Sequence, residues 1–415
     1  MDLRGRCLWM WRGPNPDDPN RDTTSVMMRD MTYELGQGTG PLKGVKVVEI
    51  AGIGPGPHAC MILADLGADV IRIERPGGQA LAGGATMLLN RGRPSVALNL
   101  KDPQAVATVL ELVRTADVVI EGMRPGVTER LGLGPEDCQA VNPKIVYGRM
   151  TGWGQDGPLA QAAGHDMNYI AITGALQMMG QDKARPHFPS NLVGDFGGGS
   201  TYLVIGILAA LLEAKVSGQG QVIDAAIVDG TAHLNAMTAA FLASGGYHEE
   251  RASNLLDGGV PFYDIYETSD GKHMSVGSLE PQFFDALVTL LGVKDTCPGQ
   301  GEPQRYDEMR QIFTDTFRSR TQAEWIEVFE GTDACVAGII PFTEAVEHPH
   351  LTARGTFVER DGMVQPVPAP RFSRTEPSLS LPPSKAAGEH TREALAAWGI
   401  TDIDELIDSG VAVQT

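Results

Sequence analysis

At 415 residues, with 42% hydrophobic and 20% charged residues, the chain has the composition of a globular enzyme large enough for two domains. A formal charge of -19 repels polyanions over most of the surface and excludes nucleic acid as an expected partner. Five cysteines, Cys7, Cys60, Cys138, Cys297 and Cys335, lie far apart with no Cys-x-x-Cys pair. That spacing argues against a disulfide framework or a metal site and suits a reducing, cytoplasmic setting.

Residues 1 to 40 show no sustained period and carry the breaker run Gly13-Pro14-Asn15-Pro16. They read as a disordered extension, with Met27, Met28 and Met31 as alternative starts. Apolar runs from Val45 to Ile50 and from Ala68 to Glu74 flank a helical stretch stopped by Gly67, which predicts a strand-helix-strand unit of parallel sheet. The turn Gly52-Ile53-Gly54-Pro55-Gly56-Pro57 approaches a dinucleotide fingerprint, with Glu74 about where a ribose-binding acid would sit. Pro57 stands in place of the third glycine, which disfavours an NAD site.

The pattern continues with strands from Ser95 to Leu100, Asp117 to Ile120 and Lys144 to Tyr147, and helices from Pro103 to Thr115 and Pro135 to Ala140. Together these predict a doubly wound α/β domain. Arginines gather at its loops: Arg72 and Arg75, Arg91 and Arg93, Arg124 and Arg130. In an open parallel sheet the ligand crevice lies beyond the carboxyl ends of the strands, so Arg75 and Arg124 are placed to meet an anion such as a phosphate.

From Gly164 to Ser200 the chain reads as a glycine-spaced loop with little regular pattern, carrying His165, Asp166 and Asp195. A helix from Thr201 to Lys215 follows. Its apolar run, Tyr202 to Leu212, falls short of the roughly 20 residues that a bilayer requires and reads as a buried helix. A strand from Gln221 to Ile227 and a helix from Thr231 to Ala243 precede a Gly/Asn/Asp-rich linker, Ser244 to Gly259. Beyond it, runs from Phe262 to Thr268 and from Lys272 to Ser278 flank Ser269-Asp270-Gly271, a hairpin signal. Pro281 sits at a helix start, helices reach about Gly331, and a strand pair turns at Asp361-Gly362. The end reads as one helix from Thr391 to Trp398, a short second one and a loose tail.

Several of these stretches carry a family resemblance. Pro41-Leu42-Lys43-Gly44, the run from Val47 to His58, Ile73-Glu74-Arg75-Pro76 and Glu121-Gly122-Met123-Arg124-Pro125-Gly126 resemble the class III coenzyme A transferase superfamily. Gly164-His165-Asp166-Met167-Asn168-Tyr169, Gly194-Asp195-Phe196-Gly197-Gly198-Gly199 and Glu280-Pro281-Gln282-Phe283 resemble its 2-methylacyl-CoA racemases. The resemblance covers roughly Pro41 to Ser373.

The resemblance implies a Rossmann-like doubly wound large domain over 41–243, a linker over 244–259 and a smaller α+β domain over 260–355. A segment over 356–415 then returns to the large domain. Two such chains would interlock as a homodimer, with the site between one chain's large domain and the other's small domain. Within it, His165 supported by Glu280, and Asp195, would be the acid/base groups. Arg75, Arg91 and Arg124 would hold the coenzyme's phosphates, and Tyr263 and Asn191 would line the acyl end. The reaction implied is interconversion of (R)- and (S)-2-methylacyl-CoA thioesters in lipid metabolism. No cofactor is needed beyond the CoA of the substrate.

The residue types suit that chemistry. Inverting a carbon α to a thioester requires a proton to leave one face and another to arrive at the opposite face, so two acid/base groups must flank it. General acid–base help supplies roughly 10² to 10⁴-fold, so an enolate oxygen needs stabilisation as well, for which N–H groups at a helix start beyond Gly164 are the candidates. Taken singly, Asp195 is a helix cap, His165 a hydrogen-bonded loop histidine and Glu280 a helix-start residue. Taken together within the matched motifs they read as a catalytic set. The alternative is a class III CoA transferase with Asp166 as nucleophile, passing CoA between carboxylic acids through an aspartyl anhydride. A non-catalytic acyl-CoA binder is the remaining reading, which any α-proton exchange would exclude. The acyl chain is left open; Met167, Met178 and Met179 offer an adaptable wall.

Overall fold

The structure, a computed structural model, describes Leu35 and residues 38–78, 87–181 and 183–415. The expected extension, Cys7 and the alternative starts therefore lie outside the described residues, apart from Leu35 and 38–40.

Strand β1 (Lys46–Ile50) leads through the Gly54 turn into α1 (Pro55–Asp65), and β2 (Asp69–Glu74) returns parallel to β1 in the register Lys46 to Asp69. β3 (Ser95–Leu98), α2 (Pro103–Thr115) and β4 (Val118–Glu121) follow. α2 starts where Asp102 accepts a hydrogen bond from the Gln104 N–H and Pro103 occupies the first turn, a combination local in sequence and legible there. α3 (Val127–Leu131), α4 (Pro135–Val141) and β5 (Val146–Thr151) complete the first half.

Between Gly164 and Ser200 the structure corrects the sequence reading. The stretch is ordered as α5 (Asp166–Ile172), α6 (Ala175–Met178) and a π-helical segment, Leu192–Ser200, that runs without a break into α7 (Thr201–Ser217). The Phe196 N–H donates to the Asn191 carbonyl at 3.3 Å, the five-residue step that defines a π turn. Such turns are rare and concentrate at functional sites.

After α7 come β6 (Val222–Ala226), α8 (Ile227–Leu234) and α9 (Ala236–Ala243). β7 (Tyr263–Glu267), β8 (His273–Gly277), α10 (Pro281–Leu290), α11 (Tyr306–Phe317), α12 (Gln322–Phe329) and β9 (Val336–Ile339) follow. The chain closes with α13 (Phe342–Ala345), α14 (Pro349–Ala353), the hairpin β10 (Phe357–Arg360) and β11 (Met363–Pro366), α15 (Thr391–Ala397), α16 (Ile403–Asp408) and β12 (Ala412–Val413).

The larger sheet has the order β12-β3-β2-β1-β4-β5-β6, parallel except for β12. The order in which strands are added reverses between β1 and β4, the switch point of a doubly wound sheet. The tail read as loose is in fact pinned: Ala412 pairs with Leu98, and Trp398, Ile403 and Leu406 are buried in the same apolar cluster as β2 and α2. A second sheet, β7-β8-β9, packs with α10, α11 and α12 around Met274, Phe313, Phe317 and Trp325. α12 begins with a reciprocal cap, the Thr321 N–H donating to Glu324 at 2.8 Å while the Thr321 hydroxyl accepts from the Glu324 N–H at 3.3 Å.

The arginines gathered near the strand ends divide into two groups. Arg72 and Arg93 are buried beneath the Gly54 turn and share Glu49, at 2.6 and 2.7 Å. Glu74 is likewise buried against Arg72 and the Ser95 hydroxyl, so it is not free to hold a ribose. Arg91, expected among the phosphate-binding residues, is corrected: it is 3% exposed, pairs with Asp65 at 2.6 Å and donates to Gln365 and the Pro366 carbonyl. Its donors tie the β11 strand to α1. Arg75, Arg124 and Arg130 remain exposed.

α7 also differs from the expected buried helix. With the π-helical segment it forms one apolar run, Leu192–Ser217, with a mean hydropathy of 1.5 but only 33% buried, long and apolar enough to cross a membrane by length and composition. One face, Leu203 and Ile207, packs under β4 and β5 in a buried cluster, and Asp195 with four glycines occupies its first third. The other face leaves Ile205, Leu212 and Val216 uncovered.

Glu49 neutralises two buried guanidinium groups, so its removal strands both. Glu49→Ala is expected to lower unfolding free energy by about 3 to 5 kcal/mol, read from urea denaturation. A change below about 1 kcal/mol would mean that the guanidinium groups find water instead.

Candidate active site

The π-helical segment, α5 and the start of α1 meet at one point. Asp195 lies in the first turn of the π-helical segment, and the Asn191 amide donates to its carboxylate at 3.3 Å. Gly54, with a positive φ of 69°, faces that carboxylate: a Cβ built there would lie 3.3 Å from Asp195 Oδ2. The turn that resembled a dinucleotide fingerprint thus makes room for an acid.

His165 precedes α5 and is exposed, its backbone N–H held by the Asn168 side chain at 3.1 Å. Behind it, the Tyr169 hydroxyl donates to the Gly164 carbonyl and its ring meets Trp153 edge-on at 4.7 Å, so the loop that presents His165 is braced by aromatic packing. His165 and Asp195 are close enough to interact electrostatically.

Asp166 turns inward. It is 7% exposed, and its Oδ2 accepts the Asp195 backbone N–H at 2.7 Å. Its Oδ1 is buried with no hydrogen-bond partner among the described residues. Burial pushes the Asp195 carboxyl above its ordinary range; the Asn191 bond opposes this, the charge of Asp166 adds to it and that of His165 opposes it.

His58, on α1, is a residue that the sequence reading did not single out. Its ring stacks on Phe196 at 4.2 Å and its Nδ1 meets the Ser200 hydroxyl at 2.6 Å, gripping the π-helical segment on both sides of its glycines. Burial, then the charges of Arg91 and Arg93, hold its pKa down to about 4 from 6.5. At neutral pH it is uncharged. No local signal marked it, because its partners lie some 140 residues away in the chain.

The remaining predicted residues form a second group. Tyr263 lines a cleft of about 890 Å³ with Met178, Met179, Met237, Phe241 and Cys335. Met167 is exposed and is not among its walls. Glu280 stands at the start of α10, its side chain making no capping hydrogen bond, and is exposed; its charge acts on Cys335, which adopts a positive φ of 52°. The linker Ser244 to Gly259 is tied down, since buried Arg251 donates to the carbonyls of Gln177 and Lys183 at the cleft edge. Within one chain the structure therefore brings together His165, Asp166, Asp195 and Asn191. Among the described residues no hydrogen bond or ion pair joins Glu280 to His165. No cluster of metal-ligating side chains occurs among the described residues.

Three comparisons bear on the chemistry of this site. The profile described as CoA-transferase family III matches residues 42–391. The α-methylacyl-CoA racemase of Homo sapiens is 41% identical over 362 residues, 87% of this chain and 94% of that protein. Succinyl-CoA:glutarate CoA-transferase of Homo sapiens is 29% identical over 99% of this chain and 94% of its own. Among solved structures, a CAIB/BAIF family protein from Brucella suis superposes with a TM-score of 0.75 at 26% identity, covering 87% of this chain and all of that one.

His58 yields a pH prediction. Its folded-state pKa of about 4 lies below the unfolded value of 6.5, so within that window the unfolded chain binds a proton that the folded chain refuses. The stability contributed by neutral His58 is present above the window and is lost as pH falls through it. Urea midpoints of wild type minus those of His58→Gln should therefore decline from pH 7 to pH 5 (roughly the upper part of the window). A difference independent of pH would show that His58 titrates normally.

Proposed function

We propose that this chain, which belongs to CoA-transferase family III, is an acyl-CoA racemase that inverts the α-carbon of 2-methylacyl-CoA thioesters through an enolate. The observation that carries the reading is the meeting of an exposed imidazole, His165, with a carboxyl of raised pKa, Asp195, on two elements braced against each other. One group removes the α-proton, the C–H electron pair passes into the enolate, and the other group delivers a proton to the opposite face. A carboxyl with a raised pKa serves either as acid or as base near neutrality.

The transferase reading requires Asp166 to attack the thioester carbonyl, expelling CoA thiolate and forming a mixed anhydride. A carboxylate that is buried and already engaged by the Asp195 N–H is poorly presented for that attack. The greater identity to the racemase than to the transferase supports the same choice.

CoA is an anion, and Arg75 and Arg124 are exposed arginines beyond the carboxyl ends of β2 and β4 in an acidic protein. They are the groups proposed to meet its phosphates. Asn191 and Tyr263 are proposed to border the acyl chain. The working form is proposed to be a homodimer in which the large domain of one chain meets the small domain of the other. The uncovered apolar residues of α7 and α9, Ile205, Leu212, Val216 and Leu242, support this.

Three measurements test the reading. In D₂O, Asp195→Asn is expected to exchange the α-hydrogen of one 2-methylacyl-CoA enantiomer without inverting it, and His165→Ala to do so for the other. Exchange of the same enantiomer by both variants, or persistent inversion, would sink the two-base mechanism. Arg124→Ala should weaken free CoA and acyl-CoA alike by about 1.5 to 3 kcal/mol, read by calorimetry; unchanged affinity would remove Arg124 from the phosphate site. Finally, inactive His165→Ala and Glu280→Ala chains, unfolded and refolded together, should recover some activity, whereas none would place the whole site within one chain.

A further inference from the structure

We propose that Asp166 is a positioning residue, anchoring the main chain of Asp195 to the helix that carries His165 and setting a second carboxylate beside it. The inference rests on the racemase reading for its functional meaning, but its physical content is independent of it.

The geometry is specific. His165 and Asp166 are consecutive, yet the first faces solvent and the second is buried. Asp166 Oδ2 takes the Asp195 N–H at 2.7 Å, so one dipeptide presents one acid/base group and grips the backbone of the other. A Cβ at Gly194 would overlap the Asp166 carboxylate, which means that the chain leaves out a side chain there so that the carboxylate can reach. The other oxygen, Oδ1, is buried without a partner among the described residues. A carboxylate kept in that state raises the cost of a second negative charge nearby.

The titratable groups acting on Asp195 are Asp166, His165 and Tyr169, all on or beside α5. α1 meets the segment through Gly54 and His58, and α8 through Ile227, Gly230 and Thr231. Of these only His58 titrates, and it faces Phe196 and Ser200. Asp166 is therefore the one negative charge in this group set against Asp195. It favours the protonated form of that acid.

Two variants separate the anchor from the charge. Asp166→Asn keeps an oxygen able to accept the Asp195 N–H but removes the charge; Asp166→Ala removes both. With carboxyl-¹³C aspartate, the Asp195 signal is identified by its loss in Asp195→Asn. It is expected to titrate at lower pH in Asp166→Asn than in wild type, and the acidic limb of kcat/KM for 2-methylacyl-CoA should move the same way. Asp166→Ala should lose about 10- to 100-fold in kcat with KM within about twofold, since misplacement of a reacting group by about 1 Å has that effect. An unmoved Asp195 titration in folded Asp166→Asn would overturn the proposal. So would an acyl adduct on Asp166, seen by mass spectrometry after mixing wild type with acyl-CoA. A shifted titration in a protein that exchanges no α-proton would leave the coupling standing and overturn the racemase reading instead.

Discussion

The contact between the main chains of Gly198 and Gly230 holds the site in place. A Cβ on Gly230 would overlap the Gly198 carbonyl oxygen, and one on Gly198 would overlap the Thr231 side chain, so the π-helical segment lies against α8 at backbone distance. A π-helix wastes hydrogen-bond geometry relative to an α-helix and persists only where its surroundings over-determine it. Here α8 closes one side, His58 on α1 a second, and Asp166 a third. With three sides held, Asp195 points at the Gly54 turn. The functional group is thus placed by main-chain packing and by neighbours, with little help from its own side chain.

The buried charges beneath the turn connect the sheet to this arrangement. Glu49 balances Arg72 and Arg93 inside the domain, and Asp65 balances Arg91 one helix over. Buried pairs of this kind seldom add net stability over apolar packing, yet breaking one is costly. They also act at a distance: the charges of Arg91 and Arg93 help to keep His58 neutral, and a neutral ring can stack on Phe196 without carrying a buried charge. An arginine cluster that looked like an anion site is divided between internal scaffolding, Arg72, Arg91 and Arg93, and three exposed residues, Arg75, Arg124 and Arg130.

The apolar surface is unevenly distributed. The larger sheet is well covered, and the second sheet has an aromatic core of its own around Phe317 and Trp325. α9, in contrast, has no buried residue and borders a cleft of about 890 Å³ through Met237 and Phe241, and α7 leaves Ile205, Leu212 and Val216 uncovered. Exposed apolar residues in such number mark a face for binding. Methionines on such a face adapt to irregular shapes.

Much of the fold was legible because its signals are local. Pro103 after Asp102, Pro281 after Glu280, the alternation around Ser269-Asp270-Gly271 and the apolar runs of β1 and β2 are read within a few residues, and each element lies within a residue or two of its expected place. The motif residues His165, Asp166 and Asp195 were likewise visible as chemistry. What the sequence could not reveal depends on partners remote in the chain. Arg91 is claimed by Gln365, 274 positions away, and the two-residue strand β12 exists only because β3 offers an edge. The glycine run 197–199 has no period that distinguishes a π-helix from a loop, since its conformation is imposed by α8. Residue type and near-neighbour periodicity determined the elements and the candidate chemistry. Tertiary structure alone decided which charges are spent internally and where Asp195 points, because burial and pairing are properties of space rather than of sequence distance.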